Sequence, residues 1–257
     1  MNQIIIRLSS YVIKLTVIVI MIVNAVDVSA APASTVEFEK WLTFYYAHKD
    51  PTSVISSMEY AVESGVLDDI RRSGPPIFGF IAGVVKDNPY LADLMVKKFD
   101  SIEDEKYALF LIGIWYANLP GGKSRLLIAN ALKRHPNIES KYSFLHDPSV
   151  DLLVVSPQKG PWVLDALWGN FMATGKSQPV INIISVLPWI DESKKQEILA
   201  MGKPGLYLMT TSGAANWSLI SNAKQHKRVL EICEDQIHKQ PEPISTQLRA
   251  IVTKAKG

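Results

Sequence analysis

The chain of 257 residues contains a single cysteine, so it cannot form a disulfide bond within itself. Glycine and proline, at 14 and 15 residues, are too sparse for a collagen-like or low-complexity polymer. Charged residues make up only 20% of the chain and hydrophobic residues 47%, which excludes a disordered chain. The length and apolar content instead suit one sizeable domain, or two small ones, around a hydrophobic core.

A surplus of either charge is also missing, since the formal net charge at pH 7 is +2. Without residues 1–30, which hold two basic residues and one acidic residue, the net charge is +1. Nucleic-acid-binding proteins concentrate positive charge on one face. The most basic stretch here, residues 224–228, is followed by Glu231, Glu234 and Asp235. We therefore expect no nucleic-acid partner.

Residues 1–30 have the composition of a secretory signal peptide. Arg7 and Lys14 supply its positive charge, and residues 15–23 form the apolar run LTVIVIMIV. Val28-Ser29-Ala30 then offers the small residues that a signal peptidase reads. The sequence thus predicts an exported protein, periplasmic or secreted.

The predicted cleavage site lies between Ala30 and Ala31, and cleavage after Ala33 is the second choice. After cleavage we expect no stable membrane span. An uncleaved membrane anchor is the alternative interpretation. The unbroken apolar run is shorter than the roughly 20 residues that a spanning helix needs, which favours cleavage.

Apolar residues recur three and four positions apart along most of residues 31–257, which is the period of an amphipathic helix. Turn signals occur at Asp50-Pro51, Asn88-Pro89 and Pro120-Gly121-Gly122, and Gly74-Pro75-Pro76 is a further predicted break. We predict an all-α fold of stacked helical hairpins, an irregular α-solenoid or bundle that is similar to tetratricopeptide proteins only in general character. It would form one domain, with a candidate sub-boundary around residues 143–160.

Two parts of this helical pattern are interrupted. Residues 150–155 are an apolar run of strand length, and no second strand is available to pair with them, so we expect an extended connector or a small edge ribbon. Residues 202–205 have the composition of a loop. Residues 214–220 and 229–238 are predicted helices that could join into one long helix.

Two motifs of known enzyme classes occur without the context that they require. Ala117-x4-Gly122-Lys123-Ser124 fits a loose phosphate-binding loop, but such a loop must follow a buried strand and the preceding residues have helical character. Ser221-x-x-Lys224 matches the nucleophile motif of penicillin-recognising enzymes, but the pattern is short and no Lys-Thr-Gly follows it. The five histidines show no metal-ligand spacing. We therefore predict no cofactor and no metal, and we identify no catalytic residue.

Two stretches resemble motifs of exported proteobacterial helical proteins of an uncharacterised family. They are LDALWGNFMATG at residues 164–175 and the later Trp217-Ser218-Leu219, which match the patterns LD-x-LW-x-x-F-x-ATG and WSL. The resemblance implies a bacterial and periplasmic setting. Since the family has no assigned activity, it implies no catalytic residue.

The polar and aromatic residues of these motifs are the candidates for a binding site. His226 follows Asn222 by four residues, so the two side chains could pair on one helix face. Tryptophans pack in cores by default, although several that shared a groove would line a pocket for a sugar, a peptide or a lipid. The candidate binding residues are Asp165, Trp168, Asn170, Thr174, Trp217, Asn222 and His226.

The sequence favours a non-catalytic binding or scaffold module that presents a helical-hairpin surface to another envelope protein or a peptide. An envelope-associated hydrolase, with a site assembled from distant residues, is the alternative, and a purely structural subunit is a third. An apolar groove with an exposed tryptophan would favour binding. A pocket that pairs a shifted carboxylate or histidine with a nucleophile would favour the enzyme.

Overall fold

The computed structural model describes residues 31–190 and 195–257. The predicted signal peptide, residues 1–30, lies outside the described residues. Within them the chain forms thirteen α-helices, joined by loops and short 3-10 turns, and no β-strand. The predicted all-α fold class is confirmed. The helices are α1 (Thr35–Phe44), α2 (Val54–Glu63), α3 (Ile70–Asp87), α4 (Tyr90–Lys98), α5 (Asp104–Ala117), α6 (Lys123–Leu132), α7 (Pro136–Lys141), α8 (Pro161–Thr174), α9 (Ser177–Ile184), α10 (Lys195–Ala200), α11 (Lys203–Gln225), α12 (Lys227–Ile237) and α13 (Ile244–Lys256).

The central helix is α3, which packs most extensively against α8 and then against α5. Glycines bring α3 and α8 unusually close together. A Cβ atom added at Gly79 would lie 2.0 Å from the carbonyl oxygen of Ala166, and one added at Gly169 would lie 2.0 Å from that of Pro76. Because such distances are far below van der Waals contact, any side chain at either position would push the two backbones apart.

The predicted break at Gly74-Pro75-Pro76 is wrong, because all three residues lie inside α3. The helix begins at Ile70, where the Asp69 side chain accepts a hydrogen bond from the Arg72 amide. The two prolines stand in the second turn and remove the amide donors for the carbonyls of Arg71 and Arg72. Both arginines are exposed, so water can satisfy these carbonyls and the helix continues.

Two helical hairpins, α3–α4 and α5–α6, stack on one another, with α3 against α5 and α4 against α6. The second hairpin turns at Pro120–Gly122, after Asn118 at φ 46° ends α5, so the predicted stop at this turn is confirmed. Beyond α6 the chain departs from simple stacking, since α8 packs against α3 and α1. The tetratricopeptide-like character therefore stays a prediction.

Residues 143–160 contain three short 3-10 turns in place of regular elements: Ser143–His146, Leu152–Val154 and Pro157–Lys159. Of the two alternatives predicted at residues 150–155, the edge ribbon is wrong, because Asp151 accepts a hydrogen bond from the Leu153 amide and caps a 3-10 turn there. The segment is a connector, extended at Asp151 and Val155 on either side of this turn. The segment still contributes to the hydrophobic core, since Leu152 is buried in the same continuous core as the helices.

The loop predicted at residues 202–205 is also wrong, since α11 begins at Lys203 with Pro204 in its first turn. Gly205 lies inside the helix, and a Cβ atom there would come within 1.7 Å of the Ile198 carbonyl oxygen. The absence of a side chain thus lets α10 pack directly on the start of α11.

The C-terminal part of the chain packs around α11, which contacts α10, α12 and α13. The chain breaks at His226, so residues 214–220 and 229–238 belong to two helices and not to one long helix. Cys233 is buried in α12, where burial raises the pKa of its thiol to about 12. In the described part of the chain, no helix combines the length and the apolar character that crossing a bilayer requires.

Candidate functional site

A polar cleft with a volume of about 50 Å³ lies where the C-terminal ends of α3 and α8 meet the 3-10 turn at Leu152–Val154. The ends meet because α3 and α8 run in the same general direction, with Gly79 against Ala166 and Gly83 against Ala173. The polar side chains that line this polar cleft are Lys86, Asp87, Tyr116, Asp151, Asn170, Thr174 and Lys176.

Ion pairs edge the polar cleft. Lys86 pairs with Asp151, and Lys176 Nζ lies 2.7 Å from Asp87 Oδ1. Lys49 Nζ approaches the other oxygen of Asp87 at 3.4 Å. Partial burial opposes the ionised form of Asp87, but the two lysines outweigh it and hold the pKa of this carboxyl below its ordinary value. Within the lining itself, Lys86 and Lys176 balance the charges of Asp87 and Asp151, and Lys49 adds one further positive charge beside it.

Two largely buried side chains of the lining each carry a polar atom with no partner among the described residues. Asn170 is only 5% exposed, and its Nδ2 donates a long bond of 3.4 Å to the Gly79 carbonyl, while no described residue donates to its Oδ1. Tyr116 is 9% exposed, and its hydroxyl has no hydrogen-bond partner among the described residues. Both side chains line the polar cleft, so these two atoms are open to hydrogen bonding by whatever occupies it.

Gly83 shapes the floor of the polar cleft. A Cβ atom there would lie 2.7 Å from that of Ala173 and 3.1 Å from Asn170 Nδ2, so the missing side chain leaves space for the α8 residues. Thr174 Oγ1 donates to the Asn170 carbonyl at 2.8 Å and accepts from the Lys176 amide at 3.3 Å. The structure thus brings together two of the sequence candidates, Asn170 and Thr174, in one cleft.

Two other candidates on α8 lie outside this cleft. Trp168 is buried in the core, where its ring meets Phe171 edge-on and its Nε1 has no partner among the described residues. Asp165 is exposed, yet desolvation by the surrounding protein raises the pKa of its carboxyl to about 6.

His226 is buried at the joint between α11 and α12. Its Nδ1 lies 3.2 Å from the Tyr46 hydroxyl, and the rings of Phe44 and Phe171 approach it with centroid distances of 5.0 and 5.9 Å. Burial lowers the pKa of the imidazole to about 4, so the ring is neutral at neutral pH. Nε2 is buried and has no partner among the described residues. This enclosure favours a packing role.

Asn222 is joined to His226 through the backbone and not through the side chains. The His226 amide donates to the Asn222 carbonyl at 2.7 Å, while Asn222 Nδ2 donates to the Ser218 carbonyl at 2.9 Å. Two of the sequence candidates, His226 and Asp165, have shifted pKa values, and neither is hydrogen-bonded to a serine, threonine or cysteine side chain within the described residues.

Trp217 lies on an exposed face of α11, with 40% of its surface accessible. Leu206, Thr210, Gly213 and Trp217 are spaced four, three and four residues apart, so they share one side of the helix, and we call these four residues the α11 face. A Cβ atom at Gly213 would meet no atom within 4 Å. Gly213 therefore leaves a notch between Leu206 and Trp217, which stand about 16 Å apart along the helix.

The motif that resembles a phosphate-binding loop follows helix α5, as the sequence predicts. Ser124 Oγ donates to the Ile114 carbonyl at 2.7 Å and accepts from the Leu119 amide at 3.0 Å, and Lys123 pairs with Asp93. Its polar groups are thus engaged within the protein. Among the described residues, no group of three or more histidines, cysteines, aspartates or glutamates is placed to hold a metal ion.

Comparison with known proteins identifies no relative: no protein-family model, curated protein or solved structure matches the chain. The resemblance to exported proteobacterial proteins therefore stays a prediction. The two candidate sites, the polar cleft and the α11 face, have to be interpreted from their own chemistry.

Sequence reasoning missed the charged residues and Tyr116 of the polar cleft. Four segments distant in the chain contribute them, and no motif singled these residues out. The available signal was weak: Lys86 and Asp87 follow directly on the apolar residues 77–85, and Lys176 follows the αL stop at Gly175.

Proposed function

We propose that the chain is a non-catalytic binding module of the cell envelope, exported by its first 30 residues, that docks another envelope protein or a peptide on the α11 face. The observation that carries this proposal is the exposed Trp217 beside the notch at Gly213. Tryptophan is enriched among the residues that dominate the energy of protein interfaces.

The shape of the α11 face supports a helix or an extended peptide as the bound segment. Leu206, 54% exposed, and Trp217 stand at the two ends of the face, and Thr210 and Gly213 leave a depression between them. One apolar side chain of the partner could fill this depression beside Trp217, and a second one, further along the partner, could contact Leu206. Exposed Leu199 and Met201, in the adjoining α10–α11 hairpin, add further apolar surface.

The test is the substitution Trp217→Ala in the full-length chain, expressed in a proteobacterium. Truncating a tryptophan that dominates an interface typically costs about 2 kcal/mol or more, so we expect the affinity for the partner to fall at least about tenfold. The measurement is the fraction of the chain that migrates in a larger complex in envelope extracts. The mass of the recovered chain reports in the same samples whether residues 1–30 have been removed.

The matched control is Leu126→Ala on α6, since Leu126 is a large apolar residue with an exposed fraction of 64%. This variant should migrate like the unchanged chain. Equal migration of Trp217→Ala and the unchanged chain would contradict docking on the α11 face. Recovery of the intact chain from the cytoplasm would contradict export.

A further inference from the structure

We infer that the polar cleft binds a small zwitterion, specifically an α-amino acid with a side chain no larger than a methyl group. This inference rests on the lining of the cleft and is independent of docking on the α11 face. Its strongest support is the pair of unpartnered polar atoms, Asn170 Oδ1 and the Tyr116 hydroxyl, on side chains that are more than nine-tenths buried.

The charges of the lining select a ligand that carries both signs. A simple anion that bound Lys86 would displace Asp151 and leave its carboxylate without a cation, and a simple cation would do the reverse to the lysine. An amino acid can satisfy both members of such a pair, because its carboxylate meets the ammonium of the lysine while its own ammonium meets the aspartate. At the other edge Asp87 contacts both Lys176 and Lys49, so the Lys86–Asp151 pair is the one that selects a ligand of both charges.

The two unpartnered atoms match the same ligand. Asn170 Oδ1 can only accept a hydrogen bond, which an ammonium group donates. The Tyr116 hydroxyl can donate to a carboxylate, and burial raises the pKa of this hydroxyl, so it stays protonated at neutral pH. The ligand would thus give each of these two atoms a hydrogen-bond partner that the protein does not supply.

The volume of the polar cleft sets the size of the ligand. A water molecule needs roughly 10–15 Å³ of such space, so the cavity of about 50 Å³ has room for only a few heavy atoms. Glycine and alanine fall in this range. Leu153 and Ala82 supply apolar surface that a methyl group could contact, whereas larger side chains would have to project into solvent.

The test is calorimetric titration of the full-length chain with glycine and with L-alanine. We expect saturable binding of both. N-acetylglycine, which keeps only the carboxylate, and glycinamide, which keeps only the cation, should bind at least tenfold more weakly. Absence of saturable binding of either amino acid would overturn the inference, and so would equal binding of N-acetylglycine or glycinamide.

Two variants locate the binding. Lys86→Met removes one ammonium of the polar cleft, and Tyr116→Phe removes only a hydroxyl, so the second variant keeps the fold if the first does not. Each should weaken alanine binding at least tenfold. Lys141→Met is the matched control, since Lys141 is likewise paired with a carboxylate, that of Glu105, but lies outside the cleft. Unchanged binding in Tyr116→Phe, or equal losses in Lys141→Met, would overturn the assignment.

Trp217→Ala should leave amino-acid binding unchanged. This arm separates the two proposals, because loss of docking with intact alanine binding, or the reverse, identifies which site is correct. Equal loss of alanine binding in Trp217→Ala would count against a ligand site confined to the polar cleft.

Discussion

Glycine has opposite roles in two regions of this molecule. Between α3 and α8, a Cβ atom at Gly79, Gly83 or Gly169 would collide with the neighbouring helix, whereas a Cβ atom at Gly213 on α11 would meet nothing within 4 Å. The first three glycines allow two backbones to touch and place the walls of the polar cleft. The fourth leaves a surface open. A glycine in a helix can therefore mark either close packing against another helix or an open surface. Only the neighbouring residues in the structure show which of the two applies.

The largest effect is expected when one methyl group is added where α3 and α8 touch. Gly79→Ala would place a Cβ atom 2.0 Å from a backbone oxygen, which cannot rotate away as a side chain could. We expect the free energy of unfolding to fall by at least about 3 kcal/mol. Urea denaturation followed by circular dichroism measures this. A loss below about 1 kcal/mol would mean that α3 and α8 separate easily and that the contact is not close in solution.

The second test concerns His226, the buried residue at the joint between α11 and α12. The pKa of His226 lies near 4 in the folded protein and near 6.5 in an unfolded chain. Between these values the unfolded state binds the extra proton, so stability rises with pH through this window and is complete above pH 6.5. The difference corresponds to about 3 kcal/mol lost on acidification to pH 4.

Urea denaturation at pH 7 and at pH 4.5 measures this loss. His226→Phe should remove it, because the ring remains and the titrating group does not. His146→Phe, at an exposed histidine, is the control and should keep the pH dependence. If His226→Phe retained the dependence of the unchanged chain, the joint between α11 and α12 would not be the origin.

The smallest effect is expected at the open glycine. Gly213→Ala adds a methyl group that meets no neighbour and improves the helix propensity, so the free energy of unfolding should rise by up to about 1 kcal/mol. The sign is therefore opposite to that of the same substitution at Gly79. A destabilised Gly213→Ala variant, in the same denaturation experiment, would show that the α11 face is covered within the free chain.

The sequence alone predicts the helices well, because a helix needs only local information. The period of apolar residues predicted helices along most of the chain, and the turn at Pro120–Gly122 was recognisable from its own residues. The errors arose where residues that usually end a helix, proline and glycine, lie inside one. The helix start at Asp69 carried α3 through two prolines, and Gly205 entered α11 because α10 packs against it.

The candidate site was predictable only in part. Asn170, Thr174 and Trp217 were visible because the two motifs contained them. Their partners in the polar cleft, such as Asp151 and Tyr116, come from segments whose proximity depends on how α8 returns to α3. That return depends on close fitting of glycines, which no periodicity in the sequence reveals.

The lone thiol of the chain gives the experimenter a native reporter. Cys233 sits inside α12, against the C-terminal end of the molecule, and burial keeps it in the unreactive thiol form. A chromogenic reagent that reacts with thiolates will therefore modify Cys233 only when α12 separates from its neighbours. The rate of this reaction measures how often the C-terminal end opens, and no engineered residue is needed.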